Sequence, residues 1–190
     1  MSGNLGGGFY SLEGRGRLTG NGFKEYQLSL NLDNLGIKSK YFTGPVNGKL
    51  SLTEAAGKPN LSGKIVFEND TVNIPALPEF GEASWDALLD VDVEVGKKVR
   101  LYNPMLYDIT TAGHVHFGGS VKEPSVTGRI GVVRGTVSYL GTQFKVTEGR
   151  ADFTQVASFE PVLRLSAQAR LLQTIVNLSV NGPVRSMEFA

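Results

Sequence analysis

The sequence predicts an all-β protein built on one long, mostly antiparallel sheet. Apolar and polar residues alternate with a period of two in residues 26–32, 90–95, 163–171 and 176–181. A strand with this pattern has one dry face and one wet face, whereas both faces of a parallel sheet are apolar. Turn sequences recur about every 8 to 15 residues, as in a meander of strands, and only residues 82–88 have helical character.

Short turn sequences divide the predicted strands. Each contains Gly, Pro, Asn or Asp, the residues that chain reversals favour. They lie at residues 44–45, 57–59, 69–70, 95–97, 103–104, 134–135, 140–141 and 148–149. We expect each to reverse the chain or to form the tip of a hairpin.

Residues 48–74 and 113–139 align without a gap at an offset of 65 residues. Six of the 27 aligned positions are identical, where chance predicts about two, and half of the identities are Gly or Pro, which have special backbone roles. The identical pairs are Gly48 and Gly113, Pro59 and Pro124, Gly63 and Gly128, Ile65 and Ile130, Thr71 and Thr136, Val72 and Val137. We therefore predict repeats of about 65 residues, near 44–75 and 109–140, that continue a single sheet.

The composition argues against several functions. The chain has 19 Lys and Arg against 18 Asp and Glu, and a net charge of +1 gives no reason to expect a nucleic acid partner. The absence of Cys excludes disulfides, thiolate catalysis and Cys-bound zinc. No apolar run approaches the ~18 residues needed to span a bilayer.

His114 and His116 form the most obvious candidate metal site, because alternate residues of a strand share one face. At the offset of 65 residues their counterparts are Lys49 and Ser51, and the positions between them are apolar. We therefore place both histidines on the wet face. No third ligand can be assigned, and we expect no bound metal and no cofactor.

The carboxylates of Asp90, Asp92 and Glu94 are the other candidate for chemistry, since acid pairs catalyse proton transfer or bind Ca²⁺. They alternate with valines, and we expect them to pair with the basic residues at 97–100 on a neighbouring strand. No nucleophile elbow or nucleophile–base pair is present. The sequence predicts no catalytic residues and no enzyme.

The dry face is the remaining feature, and it has two interpretations. It is either the sealed core between two packed sheets or the lining of an open groove that holds apolar chains. We expect a groove, lined by Leu28, Leu30, Leu50, Leu52, Ile65, Phe67, Val91, Val93, Val115, Phe117, Ile130, Val137, Tyr139, Phe144, Leu163, Leu165, Val176 and Leu178.

Several segments resemble the C-terminal domain of the TamB family. They are residues 95–101 (VGKKVRL), 112–120 (AGHVHFGGS), 123–130 (EPSVTGRI), 134–139 (RGTVSY), 144–146 (FKV), 148–153 (EGRADF) and 160–163 (EPVL). The similarity is best over residues 44–190. Its motifs are spaced Gly, Pro and β-branched residues rather than fixed polar ones.

The resemblance implies a curled β-sheet, a half-pipe or β-taco with an apolar inner face, of the AsmA-like bridge-forming lipid-transfer proteins. It implies that residues 1–190 form one elongated β-groove domain, the C-terminal piece of a much larger protein. That protein would be anchored in the inner membrane of a diderm bacterium by a segment outside this chain, and would extend through the periplasm.

Two functions follow from the resemblance. In the first, the groove conducts phospholipid acyl chains between the inner and outer membranes. In the second, the domain is an assembly chaperone that holds nascent strands of outer-membrane β-barrel or autotransporter proteins, together with a barrel partner of the TamA type. A third interpretation, a purely structural β-solenoid, predicts a filled core without a ligand.

Overall fold

The computed structural model describes residues 1–19, 22–39, 42–55, 57–73, 85–154, 160–183 and 188–189. Thirteen strands in this part of the chain form one sheet. Their bounds are β1 Ser2–Leu5, β2 Gly8–Thr19, β3 Gly22–Lys38, β4 Phe42–Ala55, β5 Lys58–Phe67, β6 Thr71–Val72, β7 Leu88–Asn103, β8 Tyr107–Gly119, β9 Pro124–Tyr139, β10 Thr142–Phe153, β11 Val162–Leu171, β12 Thr174–Pro183 and β13 Glu188–Phe189.

Neighbours in the sheet follow the order of the sequence, apart from the short β6, which pairs with both β4 and β7. Most pairs are antiparallel, so the predicted fold class, all-β with a long antiparallel sheet, is confirmed. The described exceptions are the parallel pairings of β7 with β5 and with β6. The second half of the sheet therefore joins the first through backbone hydrogen bonds, not through a separate domain.

Several predicted turns are wrong, because the strands run through them. Residues 44–45, 95–97, 134–135 and 148–149 lie inside β4, β7, β9 and β10. Near three of these sites the pairing register shifts, which is the mark of a β-bulge. A bulge bends a strand without reversing it, and this explains strands of up to 17 residues.

The predicted reversals at residues 103–104 and 140–141 do lie at hairpin turns. The short helical segment predicted at 82–88 is wrong where it can be examined, since residues 85–87 are non-helical and Leu88 begins β7. Residues 82–84 lie outside the described residues.

The two segments related by 65 residues pair in the same way. Gly48 lies opposite Ile65 where β4 meets β5, and Gly113 lies opposite Ile130 where β8 meets β9. Towards the next turn both pairings shift register by one residue, so that Phe42 faces Val72 just as Tyr107 faces Val137. Strand β9 is thus the uninterrupted counterpart of β5 and β6.

The protein exposes 12233 Å² to solvent. A compact monomer of its mass, 20.4 kDa, exposes about 8,800 Å². The excess is what a single open layer produces, because a layer that is not covered by a second sheet or by helices leaves much of both faces in water. The most buried cluster among the described residues lies towards the C-terminal end, in β10, β11 and β12.

Candidate functional site

The pairing register places all eighteen predicted lining residues on one face of the sheet, which we call the apolar face. Directly paired residues point to the same side. One such row runs across the sheet from β3 through β4 and β7 to β8 and contains Leu30, Leu50, Val91 and Phe117, with Gly63 of β5 between Leu50 and Val91. The register relates the other lining residues in the same way.

Burial is uneven along the apolar face. In β10 to β12, Phe144 is 5% exposed and Leu178 is 7% exposed, and both pack in the C-terminal cluster with alanine and valine side chains. In β3 and β4, Leu28 is 37% exposed and Leu30 and Leu50 are half-buried. We call β2 to β5 the open part of the apolar face and β10 to β12 the closed part.

Among the predicted lining residues, Val91, Val115, Phe144 and Leu178 are buried. These four fill the sheet between neighbouring side chains, and the solvent-facing area comes from the others. Sequence alternation gives the face of a residue but not its depth, because depth depends on how strongly the sheet bends at that point. Four further valines of the apolar face, at positions 46, 95, 99 and 126, are also buried and were absent from the predicted set.

Glycines allow neighbouring strands to approach closely on this face. A Cβ atom on Gly113 would lie 2.2 Å from the backbone oxygen of Arg129, and one on Gly48 would lie 2.5 Å from that of Lys64. The partner of each glycine is an isoleucine, which covers the vacant space. The conserved spacing of these glycines in the sequence therefore reflects close backbone contact rather than turns.

Asp70 is an unexpected ionisable residue on the apolar face. Its side chain is 1% exposed, neither carboxylate oxygen has a hydrogen-bond partner, and it occupies the space beside Gly44 that a Cβ atom would fill. At the offset of 65 residues the pair is exchanged, since Ile109 lies opposite Gly135. That exchange was the signal in the sequence, but residues 69–70 were interpreted only as a turn.

Burial raises the pKa of the Asp70 carboxyl to about 6, from an ordinary value of 3.8. Below about pH 4 the carboxyl is neutral in both the folded and unfolded states. As pH rises through 6 only the unfolded state ionises freely, so the folded protein loses stability. We expect Asp70→Asn to stabilise the protein by about 2–3 kcal/mol above pH 7 and by little at pH 4. Urea denaturation at both pH values measures this difference, and an equal effect at the two values would contradict it.

The opposite face of the sheet carries charged pairs between strands. Asp92 Oδ1 lies 3.0 Å from His114 Nε2 and 3.0 Å from His116 Nδ1, and Glu94 pairs with Lys64 at 2.5 Å. The predicted pairing of the acidic residues with the basic residues at 97–100 is wrong, because these basic residues continue the same strand, β7. Both histidines share their face with Asp92, away from Val115.

The described residues were also searched for groups that metals or membranes would require. They contain no group of three or more His, Cys, Asp or Glu residues placed to hold a metal ion. Within the same residues, no helix has the length and hydropathy to cross a membrane. The site that the geometry offers is thus the apolar face itself.

A comparison with curated proteins found no match. A family model, described as the TamB C-terminal domain, matches residues 79–190, which is more than half of the chain. The matched region begins before β7 and contains the closed part of the apolar face, and it confirms the resemblance noted in the sequence. The chain belongs to the TamB family, whose members take part in outer-membrane assembly together with TamA-type partners.

Proposed function

We propose that the apolar face conducts phospholipid acyl chains between the inner and outer membranes, as a periplasmic segment of a larger TamB-like protein anchored in the inner membrane. The main support is the open part of the face, where large apolar side chains remain in contact with water. An apolar surface of this kind is costly to leave exposed, and a hydrophobic cargo removes the cost.

The dimensions suit this role. Twelve strands follow one another across the sheet, and a spacing of about 4.8 Å gives an apolar path of roughly 50 Å. Half of the hydrocarbon core of a bilayer, the depth that one acyl chain fills, is about 15 Å. The face is therefore long enough for several acyl chains in sequence.

The energetics favour acyl chains over polar cargo. Each methylene group that leaves water contributes about 0.8 kcal/mol, so even partial burial of one chain outweighs the loss of a few ordered side-chain rotamers. The phospholipid head group would stay at a rim of the sheet, where it remains hydrated. An open single layer permits this arrangement, and a sealed core does not.

A second candidate, the assembly chaperone, is favoured by the edge of β12. Among the described residues, β13 pairs only with Val180 and Asn181, so residues 174–179 have no strand partner on that side. An unpaired edge can accept a strand from another chain through backbone hydrogen bonds. Nascent strands of outer-membrane β-barrel proteins are a cargo of this kind.

Site-specific photocrosslinking discriminates the two cargoes. A benzophenone amino acid replaces Leu30 on the apolar face, and the matched control replaces Lys49 on the opposite face. With labelled phospholipid vesicles and an unfolded outer-membrane protein both present, we expect phospholipid adducts at position 30 and few at position 49. Adducts to polypeptide alone at position 30 would support the chaperone and contradict the conduit.

A further inference from the structure

Three consecutive hairpins place large apolar side chains at their tips. Met105 lies between β7 and β8, Leu140 between β9 and β10, and Leu172 between β11 and β12, with side chains 80%, 87% and 97% exposed. Because each tip is two strands from the next, all three lie at the same rim, which we call the apolar rim. The tips are about 10 Å apart and span roughly 20 Å.

The backbone at two of these tips is unfavourable for the residue present. Leu140 has φ 48° and Leu172 has φ 56°, in the left-handed region where glycine and asparagine are common and bulky side chains are rare. A branched apolar residue there costs on the order of 1 kcal/mol. The turns themselves would be better served by Asn, so their geometry does not explain leucine.

Basic residues surround the apolar rim. The strand ends that form it, residues 97–112, 132–147 and 166–179, contain six Lys or Arg and only one Asp or Glu. The acidic residue, Asp108, is already paired with Arg100 at 2.6 Å. Arg134, Lys145 and Arg170 are exposed. Since the whole chain has 19 basic and 18 acidic residues, its positive charge is concentrated around these tips.

The turn at the opposite rim is different. Between β8 and β9 it contains Ser120, Lys122 and Glu123, and backbone and side-chain hydrogen bonds join Ser120 to Glu123. These are ordinary polar turn residues. The apolar tips are therefore a property of one rim and not of hairpin turns in this protein generally.

We propose that the apolar rim docks on a lipid bilayer that contains anionic phospholipid. Separate apolar tips can each enter the boundary between head groups and acyl chains, while the exposed basic residues behind them contact the phosphates. A bilayer accommodates points that are about 10 Å apart, and the cationic surroundings complement its charge. The docking is independent of whether the apolar face holds a lipid.

The test uses the 190-residue chain and vesicles sedimented by centrifugation. The variant Met105→Ser/Leu140→Asn/Leu172→Asn removes the tips. Asn suits the left-handed backbone, so the variant should unfold at the same or a higher urea concentration. We expect its partitioning onto vesicles of phosphatidylcholine and phosphatidylglycerol to fall at least about tenfold. Binding to pure phosphatidylcholine, or in about 1 M salt, should also be weak, because salt screens the basic residues.

Fluorescence locates the contact. Trp85 is the single tryptophan and lies before β7, at the opposite rim, so its emission should not change with vesicles. In a Trp85→Phe background, Leu172→Trp should shift to shorter wavelength when vesicles are added. Unchanged vesicle binding by the tip variant, or a shift of Trp85 alone, would overturn the proposal. A tip variant that loses only self-association would show the rim to be an interface between two copies, and would also overturn it.

Discussion

Leu50→Asp should leave the protein folded and abolish its binding of phospholipid. Leu50 is half-buried on the open part of the apolar face, and its partner in β5 is Gly63, which has no side chain to trap a new carboxylate. The carboxylate can therefore reach water, and we expect a loss of only about 1–3 kcal/mol in stability. An acyl chain on that surface would have to desolvate the charge. Retention of labelled phospholipid after gel filtration measures binding, and circular dichroism measures folding.

The neighbouring residue supplies the matched control. Lys49→Asp introduces the same side chain one position away, on the opposite face, where Lys49 is exposed and lies opposite Lys64. We expect this variant to retain phospholipid. If both variants lose phospholipid, charge alone explains the effect. If Leu50→Asp unfolds the chain, the open part of the face is a sealed core and the conduit is wrong.

Val115→Asp should behave differently, because Val115 is 2% exposed in the centre of the sheet. A carboxylate there cannot reach water, and we expect the protein to unfold. A comparison of the two variants thus separates the solvent-facing surface from the packed interior.

Gly128→Val should destabilise the protein by about 3–5 kcal/mol. Gly128 has φ 132°, a conformation that other residues rarely adopt, and a Cβ atom there would lie 2.3 Å from the backbone oxygen of His114. Strain in the backbone and displacement of β8 each contribute on the order of 1–3 kcal/mol. Val115, the partner of Gly128 in β8, would also be displaced. The free energy of unfolding in urea checks this prediction.

Gly131→Ala is the control on the same strand. Around Gly131 a Cβ atom would meet no atom closer than 3.8 Å, and its φ is not in the positive region. We expect a change within about 0.5 kcal/mol. Equal destabilisation by the two substitutions would contradict the close approach of β8 and β9 on the apolar face.

The alternation of apolar and polar residues was sufficient to predict the fold class and the face on which each lining residue lies. That success has a simple cause, since a strand has only two faces and a period of two assigns every residue to one of them. The composition of single strands carries no comparable signal for bulges. Lys98, with φ 59°, lies in a bulge of β7, although its segment was interpreted as a turn.

Depth and long-range pairing were beyond the sequence for a different reason. Whether Val115 is buried and Leu28 exposed depends on strands far apart in the chain that bend towards each other. The parallel pairing of β5 with β7 likewise has no local sequence mark, because it depends on where the segment between them returns. Asp70 was missed because a turn sequence explained it adequately without the neighbouring strand.

Lipid analysis of the purified chain tests the conduit most directly. The folded 190-residue chain is incubated with phospholipid vesicles, separated from them by gel filtration, extracted with organic solvent and analysed by mass spectrometry, beside Leu50→Asp and Lys49→Asp. We predict phospholipid in stoichiometric amounts on the unaltered chain and on Lys49→Asp, and none on Leu50→Asp. A folded, unaltered chain that emerges without phospholipid would contradict the account.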